Sequence, residues 1–170
     1  TINADQARRI IVANNLIYVA ASNSSNSNGV SVHSYDLAGN QQWIVSSLVG
    51  SFEEMVADGS GNIYVAMGFY IAKISSVGTV LWNSPVNPNN ANERLQYSGE
   101  HCFALSDGGQ LFAATYHAGY HINKYNTSNG QLELAINNPL GYNSQGYSKL
   151  LGGSGASFYF FFWNYPSQVI

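Results

Sequence analysis

The sequence predicts an all-β protein assembled from repeats of one short antiparallel unit. Three observations predict it. One apolar signature returns four times at a nearly constant interval. Each return is bracketed by residues that favour tight turns. No stretch carries apolar residues at helical spacing between recognisable caps.

The signature appears as Leu16-Ile17-Tyr18-Val19-Ala20, Asn62-Ile63-Tyr64-Val65-Ala66, Gln110-Leu111-Phe112-Ala113-Ala114 and Ser157-Phe158-Tyr159-Phe160-Phe161. With Ile17, Ile63, Leu111 and Phe158 as anchors, the intervals are 46, 48 and 47 residues. β-branched and aromatic runs of this length suit strands.

A second apolar run and a turn precede each anchor. Ile10-Ile11-Val12-Ala13 leads into Asn14-Asn15, and Met55-Val56-Ala57 into Asp58-Gly59-Ser60-Gly61. Phe103-Ala104-Leu105 leads into Asp107-Gly108-Gly109, and Leu150-Leu151 into Gly152-Gly153-Ser154-Gly155. Asn, Asp and Gly tolerate positive φ, which hairpin turns demand. A further hairpin follows each of the first three anchors. It runs through Asp36–Asn40 to Trp43, through Ser75–Thr79 to Trp82, and through Asn126–Gly130 to Leu134.

Each unit is therefore four strands in about 47 residues, and a four-stranded unit at that period reads as a propeller blade. Approximate blade limits are 7–46, 52–84, 100–136 and an incomplete 147–170. The fold class is an all-β propeller of four-stranded antiparallel blades, about 3.5 blades in these residues. Single-chain rings typically hold four to eight blades, so a larger ring is expected, made by a homo-oligomer or by the remaining blades of a longer chain. The aromatic run at 158–163 would otherwise leave an exposed edge.

Asp58-Gly59-Ser60-Gly61-Asn62-Ile63-Tyr64-Val65, with Ile71, Lys73, Ile74, Gly78, Leu81 and Trp82 after it, resembles the repeats of quinoprotein-like bacterial propellers. The stretch from Asp36 through Gly39 to Trp43 resembles the docking segment of such blades. The resemblance implies that the tryptophan packs on the neighbouring blade. It implies no quinone cofactor, because the cofactor residues of those dehydrogenases are not recognisable, and none is expected.

Composition narrows function. Charged residues make up 9% of the chain, against about 25% in a typical soluble domain. Six Lys and Arg are too few for general nucleic-acid binding. No apolar run reaches membrane-span length. Asn, Ser, Gly, Gln and Tyr provide the polarity, a style associated with extracellular or cell-surface proteins. The single cysteine, Cys102, excludes an internal disulfide framework and reads as a buried thiol.

The resemblance to propellers implies that inter-blade loops and the loops between second and third strands emerge on one face, and function is expected there. Asn83–Gly99 and Asn137–Gly146 are the long connections between blades. They either carry contacts or act as Asn/Pro-rich spacers such as Val86–Asn90. Charged residues gather at the start of first strands: Arg8, Arg9, Glu53, Glu54, Glu100, His101 and Lys149. The candidate ligand-binding set is Arg9, Glu53, Glu54, Tyr97, His101, Tyr116, His117 and Lys149. No catalytic residue is assigned. Tyr97, Tyr116, Tyr120, Tyr142, Tyr147 and Tyr165 offer rings for sugar stacking. His117 and His121 flank a turn but lack a third metal ligand. The segment from Asp58 lacks the Gly and Glu of a calcium loop and reads as a turn.

These observations favour a non-catalytic extracellular binding or scaffold module whose partner is a protein or a glycan. One alternative is a subunit of a surface assembly that uses its open blade edge. Another is a lyase or hydrolase using Glu53, Glu54 and His101 at the channel mouth.

Overall fold

A computed structural model of the chain describes residues 6–22, 29–95, 102–137, 148–155 and 157–162. Among them every regular element is a strand. The first sheet holds β1 (Gln6–Ala13), β2 (Leu16–Ser22), β3 (Gly29–Asp36) and β4 (Gln41–Val49) in that spatial order. The second holds β5 (Phe52–Ala57), β6 (Ile63–Met67), β7 (Tyr70–Ile74) and β8 (Val80–Pro85). The third holds β10 (Phe103–Leu105), β11 (Leu111–Tyr116), β12 (Tyr120–Tyr125) and β13 (Leu132–Asn137), with β9 (Arg94–Leu95) paired to β11. β14 (Ser148–Gly152) and β15 (Phe158–Phe162) make a two-stranded sheet. All pairings are antiparallel between chain neighbours, β9 excepted.

The turns form for the reasons their residues suggest. Asn14 and Asn15 take φ of 50° and 61°, a left-handed pair that joins β1 to β2. Asp58 closes the next hairpin with its carboxylate, which accepts the Ser60 and Asn62 N–H groups at 2.9 Å each, the Asn62 amide at 2.8 Å and the Tyr64 hydroxyl at 3.2 Å. Burial works against this charge, and the donors outweigh it, so the carboxyl lies below its ordinary value. The segment is a turn, and the carboxylate oxygens are spent on donors within the same hairpin.

Sheets pack face to face. Tyr18, Ala20, Val30 and Val32 of the first sheet meet Met55, Ile63, Val65 and Ile74 of the second. Tyr64, Ala66 and Ile71 meet Phe103, Leu111 and Tyr125. Ala104, Phe112 and Ile122 meet Leu150 and Phe158. The inner strands β1, β5, β10 and β14 stand side by side across these joints.

Each of the first two joints carries the same lock. The Trp43 indole N–H donates to the Ser76 carbonyl at 2.9 Å, and the Trp82 indole N–H donates to the Thr127 carbonyl at 3.2 Å. Tyr18 lies 5.8 Å from Trp43, and Tyr64 lies 6.0 Å from Trp82, both rings tilted. The expected tryptophan docking is therefore present twice.

The connection from β8 to β9 is not a spacer. Val86 is fully buried, its N–H donating to the Phe69 carbonyl at 2.8 Å while its own carbonyl accepts the Tyr125 hydroxyl at 2.7 Å. Glu93 is buried beneath it and accepts Thr115 Oγ1 at 2.5 Å, Asn123 Nδ2 at 2.7 Å and Asn87 Nδ2 at 2.7 Å. Buried polar groups hold a fixed geometry when their partners are supplied this fully.

Candidate functional site at the channel mouth

Strand register places the charged residues. Phe52 lies opposite Met67, and Arg94 opposite Tyr116. First-strand starts, arriving inter-blade connections and the turns between second and third strands thus share one end of the molecule. At that end β1 presents Arg9, β5 presents Glu53 and Glu54, and β9 presents Arg94.

Consecutive strand residues normally point to opposite faces. A bulge between Phe52 and Glu54 breaks this alternation, and both glutamates are buried. Arg9 Nε lies 3.1 Å from Glu54 Oε1, an ionic contact between neighbouring blades. Glu54 Oε1 also accepts the Met55 N–H at 3.0 Å. Glu53 is only 9% exposed. Burial raises its carboxyl to about 7, and the positive Arg94 pulls the other way without cancelling it. A buried carboxyl whose proton affinity is raised toward neutrality is chemically competent for acid–base work.

Cys102 is a buried thiol beside these glutamates. Burial and the Glu53 and Glu54 charges push its ionisation well above the ordinary thiol value. Its carbonyl accepts the Ala114 N–H at 2.7 Å, so it carries the inner-strand ladder on from β10 toward β9.

Below the glutamates, β1, β5 and β10 border a cavity of about 600 Å³. Its wall runs from Arg9 through Ile11 and Met55 to Asp58, Ser106 and Asp107 at the opposite turns. A groove of this volume lies within the range of small-molecule sites.

The remaining candidates fall differently. Tyr116 ends β11 and packs edge-on against Tyr120, centroids 5.6 Å apart. Tyr120 is buried, which corrects its reading as a free stacking ring. His117 and His121 do approach, but through His121 Nε2 and the His117 carbonyl at 2.9 Å, which fixes a turn instead of pairing imidazoles. No group of three metal-ligating side chains occurs among the described residues. Tyr97, His101, Tyr142, Tyr147, Tyr165 and the Lys149 side chain lie outside the described residues. Arg94 and Glu93 were not singled out from sequence. Their signal was two opposite charges in an otherwise uncharged Asn-rich connection.

No family model matches the chain, and no curated protein matches it. Solved structures do. A europium-containing methanol dehydrogenase superposes with TM-score 0.58 at 10% identity, over 81% of this chain and 27% of that one. A quinohemoprotein alcohol dehydrogenase from Comamonas testosteroni gives 0.57 at 13% identity, over 78% of this chain and 21% of that one. The fold is a quinoprotein-like β-propeller. A Bacteroides caccae protein of unknown function gives 0.52 at 13% identity, over 89% of this chain and 49% of its own length. This propeller segment thus spans between about a fifth and a half of the proteins it matches.

Proposed function

We propose that the chain is an extracellular propeller module that binds a polar partner, glycan or protein, at the channel mouth. One observation carries the reading. In a chain where only 9% of residues are charged, three blades bring Arg9, Glu53, Glu54 and Arg94 to one end of the molecule, where Arg9 also borders the cavity. Tyr116, paired with Arg94, and Ser106 in the cavity wall suit hydrogen bonding to hydroxyl-rich or amide-rich ligands. A glycan array followed by calorimetric titration tests it. A bound class whose affinity falls at least tenfold in Arg9→Gln supports the reading. Ligands that bind this variant as tightly as the parent chain refute it.

A second reading rests on the Glu53 carboxyl, which exchanges its proton near pH 7. It makes the same mouth a lyase or hydrolase site with Glu53 as the proton-transferring group. Turnover of a polysaccharide substrate that disappears in Glu53→Gln, with binding retained, would favour this reading over the first.

A further inference from the structure

Glu53 and Arg94 act on each other electrostatically across the joint between the second and third blades, yet no ion pair joins them. Arg9 differs, because its guanidinium is engaged by Glu54. Neither Glu53 nor Arg94 hydrogen-bonds through its side chain to another described residue. Arg94 is exposed, whereas Glu53 is only 9% exposed beside the bulge in β5. Buried polar groups are normally hydrogen-bonded, so the fold leaves this carboxyl unsatisfied at the mouth.

The chemistry of the pair selects a guest. In its acid form Glu53 offers an O–H donor, and Arg94 offers N–H donors only. Such a pair suits a group that only accepts, and a carboxylate fits best. It meets the guanidinium in a planar fork and accepts a short, charge-assisted bond from the acid. An ionised Glu53 would instead repel it. Burial already holds Glu53 toward the acid form near neutrality. The other ionisable groups packed around it, among the described residues, are committed elsewhere. Glu54 is held by Arg9, Glu93 is spent on Thr115, Asn123 and Asn87, and Cys102 stays a thiol. Tyr116 stands opposite Arg94.

The adjoining surface suits a sugar ring. The Leu95 N–H donates to the Gly68 carbonyl at 2.7 Å, which fastens β9 to the turn between β6 and β7. Phe69 in that turn is 46% exposed, and Tyr70 beside it is 42% exposed. Exposed rings next to a polar anchor offer an apolar face to the C–H side of a sugar.

We infer that the mouth takes an acidic glycan, in which the carboxylate of a uronic acid seats on Arg94, Glu53 in its acid form donates to that carboxylate, and the Phe69–Tyr70 turn backs the sugar ring. Where Glu53 starts ionised, a proton from solvent enters with the ligand. The inference rests on the binding reading above and names its ligand class.

Calorimetric titration with oligosaccharides of glucuronic and galacturonic acid, and with their methyl esters, tests it. One of the acids should bind, and its ester should bind at least tenfold more weakly. The acid's affinity should be about tenfold lower at pH 8 than at pH 5.5, following the fraction of Glu53 in the acid form. Glu53→Gln keeps a donor at every pH, so its affinity should be the same at both. Arg94→Gln, an exposed position, should lose at least tenfold at both. An acid that binds the parent chain independently of pH, an ester that binds as tightly as the acid, or no binding of either acid overturns the inference. An acidic hexapeptide that binds as tightly as the sugar acid also overturns it, because the occupant is then a protein. A neutral glycan lost in Arg9→Gln but kept in Arg94→Gln overturns it too, while leaving the mouth a binding site.

Discussion

The indole of Trp43 packs against Gly78 of the next blade, so close that a Cβ on the glycine would sit 2.8 Å from Trp43 Cγ. The contact explains why the turn holds a glycine twice over. Its φ of 84° disfavours any side chain, and the neighbouring ring leaves no room for one. Gly78→Ala should lower stability by about 2 kcal/mol, the joint cost of strain and overpacking. Trp43→Phe should cost about 1 kcal/mol for the lost bond to the Ser76 carbonyl, beyond any packing loss. Urea unfolding with an unchanged slope checks both.

Glu53 makes stability depend on pH. Its carboxyl is raised from the ordinary 4.5 to about 7 in the folded chain, so the native state holds the proton more tightly than the unfolded one. The folded state is therefore favoured most below about pH 4.5. It loses that advantage as pH rises to about 7, by up to about 3 kcal/mol. Glu53→Gln mimics the protonated form and should flatten this slope. Denaturation midpoints of both chains from pH 4 to 8 check it, and parallel curves would place the proton elsewhere.

Removing the Glu93 carboxylate should loosen the β8–β9 connection more than its loop position suggests. Glu93→Ala strands the donors of Thr115 and Asn123 in a buried site and removes the acceptor of the half-buried Asn87 amide. A loss of about 2–4 kcal/mol is expected. Faster hydrogen exchange at Val86 and Leu95, whose N–H groups bond to Phe69 and Gly68, should accompany it.

Gly152 holds the fourth sheet against the third. A Cβ there would fall on the Leu105 carbonyl and 3.0 Å from Ser106 Cα, both backbone atoms that cannot rotate away. Gly152→Ala should therefore separate β14 from β10. The expected signs are lost exchange protection in β14 and β15 and a midpoint several degrees lower.

Much of the architecture was legible because it repeats. Asn14-Asn15 and the turn at Asp58 announce φ-positive turns by residue type alone, and both turns have that form. Trp43 and Trp82 sit at matching places in their units, which is enough to expect a docking role. The connection after Trp82 was illegible for the opposite reason. Asn and Pro are compatible with any solvated loop, and only the three-dimensional meeting of Asn87, Thr115 and Asn123 shows that Glu93 is buried.

At the channel mouth the sequence placed Arg9, Glu53 and Glu54 at the starts of inner strands. It could not say that the bulge at Phe52 turns both glutamates into the protein, or that Arg94 returns from a distant loop to face them. Local periodicity and turn chemistry act over a few residues, so the sequence alone determined strands, hairpins and the repeat. Burial, ion pairing and proton affinity depend on which blades stand side by side, and that relationship exists only once the sheets have packed.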